Sequence, residues 1–135
     1  EARDQAIAFL DRVKIENPSK RIDDYPHQFS LGMCQRIMIA MTLSMKPKIL
    51  VADEPTASLD VTTQKEILEL MNELTEEYKM SVIFISHDLG VVAQYCEDVI
   101  VMYLGKIVEQ GKPKTIFSKP QEDYTKKLIA AIPRI

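Results

Sequence analysis

The sequence predicts an α/β fold built on a parallel β-α-β unit, and three stretches carry that expectation. Two short apolar runs, KILVAD over 48–53 and SVIFIS over 81–86, read as strands of a buried sheet. Between them, residues 61–79 place Ile67, Leu68, Met71, Leu74 and Tyr78 on one helical face, the clearest amphipathic pattern in the chain. A strand, a helix and a second apolar strand imply a right-handed crossover that returns parallel to its start.

The remaining elements follow in order. Residues 2 to about 16 put Ala6, Ile7, Leu10 and Val13 at helical spacing until Asn17-Pro18-Ser19 stops them. The stretch 17–29, with Pro18 and Pro26, reads as a loop. A helix begins near Ser30, carries Ile37, Ile39, Ala40, Met41 and Leu43, and ends at Lys46-Pro47-Lys48. Residues 88–95 form a short helix, and 98–111 read as a hairpin turning on Leu104-Gly105. A helix of modest length closes the tail. No internal repeat or low-complexity stretch interrupts this order.

Composition narrows the function. The 135 residues suffice for one domain burying about two-thirds of its unfolded surface. A net charge of −3 argues against a nucleic-acid surface built on bulk positive charge. No apolar run approaches the roughly 20 residues of a membrane span, and no secretory signal opens the chain. Cys34 and Cys96, far apart, make a disulfide framework or four-ligand zinc site a poor expectation, with a reducing cytoplasm as the default.

The chemistry concentrates at strand ends. Asp53 and Glu54 sit side by side where the first strand finishes, and side chains alternate across a strand. One carboxylate can therefore hold a magnesium ion while its neighbour faces a nucleophile, a division of labour that suits phosphoryl transfer. A solvated strand end is the plain alternative. His87 stands at the corresponding end of the second strand, and ligands of open α/β sheets gather at carboxyl ends. Upstream, Ser30 and Gly32 open a helix, where a hydroxyl, backbone N–H groups and the positive helix end can receive an anion.

The order FSLGMCQR, ILVADEPTASLD and FISHD resembles the ATP-binding subunit of ABC transporters, and the tail FSKPQEDYTKKLIAAIP is similar to the peptide- and nickel-importer branch. The resemblance spans essentially the whole chain. It implies a P-loop NTPase-like fold: part of a helical subdomain over 1–46, the carboxyl-terminal part of the ATPase core over 47–118, and an importer-type extension over 119–135. It further implies ATP and Mg²⁺ as ligands. Ser30 to Met33 with Gln35 correspond to the signature motif, which meets nucleotide on a partner subunit. Asp53 corresponds to the Walker B magnesium residue and Glu54 to the general base. Ser58, Leu59 and Asp60 correspond to the D-loop, and His87 to the switch histidine at the γ-phosphate. The implied partners are a second ATPase subunit (in a homo- or heterodimer), membrane permeases and, indirectly, a solute-binding protein. The implied location is the cytoplasmic face of the membrane.

Three positions depart from the pattern: Leu31 stands at a usual glycine, Cys34 at a usual basic residue, and Gln121-Glu122-Asp123 precede Tyr124-Thr125 where His-Pro is usual. The sequence also contains no G-x-x-x-x-G-K-[ST], and Gly32, Gly90, Gly105 and Gly111 cannot make one. The expectation is therefore a fragment, inactive by itself. It would leave Ile49, Val51, Val82 and Phe84 uncovered and so associate with itself. A non-transport ABC ATPase and a non-enzymatic interaction remnant are the competing readings.

Overall fold

Prolines and left-handed residues set most of the element boundaries. The computed structural model describes residues 1–131. These form two compact units, Glu1–Ile83 and the chain from Phe84 onward.

In the first unit, α1 (Ala2–Arg12) ends where Lys14 turns left-handed. Pro18, at the first position of a short helix α2 (Pro18–Arg21), follows Asn17 with φ +51°. A single 3₁₀ turn covers Pro26–Gln28, closed by the Gln28 side chain accepting from the Tyr25 N–H at 2.8 Å. The stretch expected as loop over 17–29 thus contains two helical turns. Each is too short for a sequence period to reveal.

Helix α3 (Leu31–Ser44) starts at Ser30, as expected, and ends before left-handed Lys46 and Pro47. Strand β1 (Ile49–Asp53) leads through a loop to α4 (Val61–Tyr78), which stops at Lys79 with φ +54°. Strand β2 (Ser81–Ile85) pairs with β1. The Ser81 N–H donates to the Lys48 carbonyl at 2.9 Å, joining the starting ends of the two strands as a parallel pair requires.

Helix α1 packs on α3, and α3 on α4. Their apolar faces bury Val13, Leu43, Ile67, Leu70 and Leu74 almost completely. Leu70 lies outside the five residues the helical pattern singled out, and Tyr78 of that set is only half-buried. Arg12 pairs with Glu77, and Lys14 with Glu73 at 3.0 Å, along the surface of the same packing.

Ile49 and Val51 of β1 are 59% and 58% exposed. On β2 the open residues are Ile83 and Ile85, whereas Val82 and Phe84 are half-buried. The expectation placed Val82 and Phe84 on the open side, so it had the wrong face of the pleat: a shift of one residue exchanges the faces. Two strands cannot bury both of their faces alone.

The second unit holds α5 (Leu89–Tyr95), β3 (Val99–Tyr103), β4 (Lys106–Gly111), α6 (Pro113–Ser118) and α7 (Asp123–Ala130). The expected hairpin is present, antiparallel, with a bulge between Val101 and Met102. Leu104 at φ +46° and Gly105 at +76° form its two-residue turn. Val92, Val99, Val101 and Ile116 make the core, with Phe117, Tyr124 and Leu128 against it. Tyr103 and Tyr124 lie against each other with ring centres 4.2 Å apart and planes tilted by 31°. Helix α6 was not anticipated. Its six residues again fall below what a period can show. The end of the expected terminal helix, from Ile132, lies outside the described residues.

Candidate functional site

Six of the seven site residues named from the sequence lie in the first unit, on β1, on the two helix starts and on the loop between Asp53 and Asp60. Ser30 caps α3, its Oγ accepting from the Met33 N–H at 3.3 Å, and the residue stays exposed. Gly32, one turn in, is buried. A Cβ built there would stand 2.6 Å from Cγ2 of Thr63, so the absence of a side chain lets α3 lie against the first turn of α4.

Thr63 is held in that position by Asp60. One Asp60 oxygen accepts from the Thr63 N–H at 3.0 Å, and the other from its hydroxyl at 2.6 Å. Those bonds, the hydroxyl's first, hold the Asp60 carboxyl below its usual range. Asp60 is thus the N-cap of α4. Thr63 is the participant that sequence reasoning missed, although D-x-x-T before an amphipathic helix is a readable cap.

Asp53 is exposed at the last position of β1, and Glu54 follows half-buried with φ +47°. Left-handed backbone is uncommon for any residue but glycine, and a following proline restricts it further. Such positions cost about 1–3 kcal/mol and persist where their surroundings hold them. Here Pro55 and Thr56 are buried, the Ala57 N–H donates to the Glu54 carbonyl at 3.1 Å, and the Leu59 N–H to that of Thr56 at 3.3 Å. Ser58 is left-handed too, at φ +69°. Gln35 of α3 reaches the same loop, its Nε2 donating to the Pro55 carbonyl at 2.5 Å. Arg36 beside it joins Glu66 of α4 at 2.8 Å and the Val13 carbonyl at 3.3 Å.

Asp53 suits a magnesium ion that shares its coordination with phosphates and water. Mg²⁺ is ordinarily held by one or two carboxylates with substrate phosphates and water, and exposed Asp53 offers one carboxylate. Among the described residues no group of three His, Cys, Asp or Glu could cage a metal, which is the arrangement this ion does not need. In the second unit, His87 is exposed between the end of β2 and α5, whose cap is Asp88 accepting from the Gly90 and Val91 N–H groups at 3.0 and 3.2 Å.

The ABC transporter family model matches residues 1–57, the stretch from α1 through the acidic pair and into its loop. The dipeptide transport ATP-binding protein of Bacillus subtilis is 53% identical over 134 residues, 99% of this chain and 40% of that protein. From α1 into the loop after Asp53, the chain is similar to the ABC transporter family. The oligopeptide transport ATP-binding protein of Salmonella typhimurium is 49% identical over 135 residues, all of this chain and again 40% of the relative. The chain spans about two-fifths of the length of the curated relatives it matches. Among solved structures, a component of the cbiONQ ABC transporter complex of Clostridium perfringens superposes with TM-score 0.74 at 36% identity, over 97% of this chain and 50% of that one. A dimeric ATP-binding cassette in a post-hydrolysis state with ADP and phosphate gives TM-score 0.68 at 31% identity, over 82% and 46%. The α/β expectation of a partial P-loop NTPase-like fold holds.

Proposed function

We propose that this chain supplies the signature helix, the catalytic carboxylate and the D-loop of an ATPase subunit that powers peptide import. The observation that carries the reading is the left-handed Glu54, beside the exposed Asp53 at the end of β1, on a loop bonded to the helix that opens at Ser30. Asp53 would hold Mg²⁺, which neutralises charge on the transferred phosphoryl group. Glu54 orients the attacking water and takes its proton. The α3 start, with the Ser30 hydroxyl, offers donors to a phosphate on a partner subunit. His87 is assigned to the γ-phosphate and Asp60 to the dimer contact, where its hold on Thr63 sets the loop's exit.

The division into a helical part (1–46), an ATPase core part (47–118) and an importer extension (119–135) belongs to the same proposal. So do a second ATPase subunit, membrane permeases and, through them, a solute-binding protein as partners. A peripheral place on the cytoplasmic membrane face completes it; no helix among the described residues is long and apolar enough to cross a membrane. The 135 residues contain no G-x-x-x-x-G-K-[ST] to cradle the β- and γ-phosphates, so by themselves they are expected neither to bind ATP tightly nor to hydrolyse it.

The test uses a complete subunit, made by exchanging this segment for the matching stretch of the Bacillus subtilis relative. Glu54→Gln keeps shape and removes the base, and is expected to lower the hydrolysis rate about 10²- to 10⁴-fold while ATP still binds. A normal rate in that variant, measured by phosphate release, would mean that Glu54 is not the base.

A further inference from the structure

We infer that Gln35 is a positioning residue for Glu54, a role that rests on reading Glu54 as the general base. By resemblance Gln35 belonged to the motif that meets the partner's nucleotide. Its side-chain nitrogen instead donates within its own chain, to the carbonyl of Pro55, at 2.5 Å and half-buried. Pro55 is the residue directly after Glu54.

The loop needs such a hold. Glu54 adopts φ +47° immediately before a proline, a backbone state that its neighbours must impose. Two bonds that shape the turn, Ala57 N–H to the Glu54 carbonyl and Leu59 N–H to the Thr56 carbonyl, are internal to the loop. They fix its curl and leave its orientation open. Gln35 comes from a different element, near the middle of the first two turns of α3, and ties the peptide after Glu54 to that helix's frame. Arg36 anchors the same helix turn to α4 and to the Val13 carbonyl. The carboxylate is thereby set in the frame that presents Ser30 and Gly32. A pivot of the Pro55 peptide would displace Glu54 from its water, and a misplacement of about 1 Å can cost about 10² in rate.

Gln35→Met, which keeps length and removes the donor, tests this in the complete chimeric subunit described above. The expected result is a kcat about 10- to 100-fold lower with KM for ATP changed less than about twofold, and a melting temperature near that of the parent. In a Glu54→Gln background the same change is expected to lower the single-turnover rate less than about twofold, because the base it positions is already gone. Gln35→Glu, with an acceptor in place of the donor, is expected to repeat the pattern should Met repack the helix. Equal fold losses in both backgrounds, or a raised KM with unchanged kcat, would overturn the inference while leaving Glu54 as base. A full rate for Glu54→Gln alone would overturn the reading of Glu54, and the positioning role with it.

Discussion

The two units close their cores by different means. In the first, three helices share one apolar seam, and Val13, Leu43, Ile67, Leu70 and Leu74 are shut away inside it. In the second, a hairpin lays one face on α6 and α7 and keeps the other open, with Ile100, Met102 and Ile107 each more than half exposed. Strand β1 belongs to the first unit yet shares the open character of the hairpin, through Ile49 and Val51. A helix stripe can be closed by neighbours from one short segment, but a sheet presents two faces and needs cover for both. Besides two bonds of its own, the loop from Asp53 to Asp60 is held by Gln35 of α3 and by the Asp60 cap of α4. Its local geometry therefore rests on the helical part of the first unit.

The sharpest way to break this contrast is to remove side chain from each side. Leu70 is 0% exposed, and Leu70→Ala is expected to cost about 2–5 kcal/mol through lost burial and a residual cavity. Ile100→Ala, on the open hairpin face, is expected to stay within about 0.5 kcal/mol. Urea denaturation followed by circular dichroism compares them. Similar costs would mean that the open face is covered in solution.

Gly32→Ala is the next largest. The new methyl would meet Thr63 Cγ2 at 2.6 Å, and Thr63 cannot swing aside while its hydroxyl is bound to Asp60. Overpacking of this kind costs about 1–3 kcal/mol. Thr63→Ser removes the methyl and keeps the hydroxyl, so in the Gly32→Ala background it is expected to recover most of the loss. Additive losses in the double variant would show that the close approach of α3 and α4 is not what requires glycine.

A smaller effect, and one confined to the second unit, is expected from pH. Glu109 on β4 accepts from the Gln121 N–H at 2.9 Å and the Glu122 N–H at 3.2 Å, fastening the start of α7. The buried Thr125 hydroxyl faces the same carboxylate without closing a bond of standard length, and its pull is the largest of those holding Glu109 below its usual 4.5. A carboxyl lowered in the folded state contributes stability above its unfolded pKa, lost as pH falls through the folded value. Melting temperature is thus expected to fall as pH drops below the usual 4.5, and less steeply in Glu109→Gln. Parallel curves for the two proteins would remove Glu109 from the acid response.

Much of this was legible because it repeats with a period or sits at a cap. The α4 stripe, the Ser30 cap and the Leu104-Gly105 hairpin all announce themselves in sequence. The acidic pair was legible as chemistry at a strand end, though not its left-handed backbone at Glu54. Which face of β2 would stand open was not readable: Val82, Ile83, Phe84 and Ile85 are all apolar, and an unbroken apolar run carries no alternation to orient it. The bond from Gln35 to Pro55 joins residues twenty apart through a carbonyl that every residue possesses. Only the packing of α3 on α4 could reveal it.

Leu31→Gly is expected to change stability little, and it separates two uses of one helix start. Gly32 is demanded by packing inside the chain, whereas its neighbour Leu31 stands at the first position of α3 and is 55% exposed. Leu31 does not pack into the helical seam, so losing its side chain removes little buried contact. It also adopts ordinary right-handed backbone, so glycine relieves no strain there. The stability cost is expected to remain below about 1 kcal/mol, from the entropy of a more flexible residue at a helix end. What the side chain can obstruct is the approach of a phosphate to the α3 backbone beside Ser30 and Gly32. In the complete subunit, Leu31→Gly is therefore expected to raise the ATPase rate, by up to about tenfold if the obstruction costs about 1.4 kcal/mol in the closed state. Steady-state rates and thermal melts of the two proteins decide it. An unchanged rate with a slightly lower melting temperature would show that Leu31 stands clear of the nucleotide, and that an exposed leucine at this position is simply tolerated.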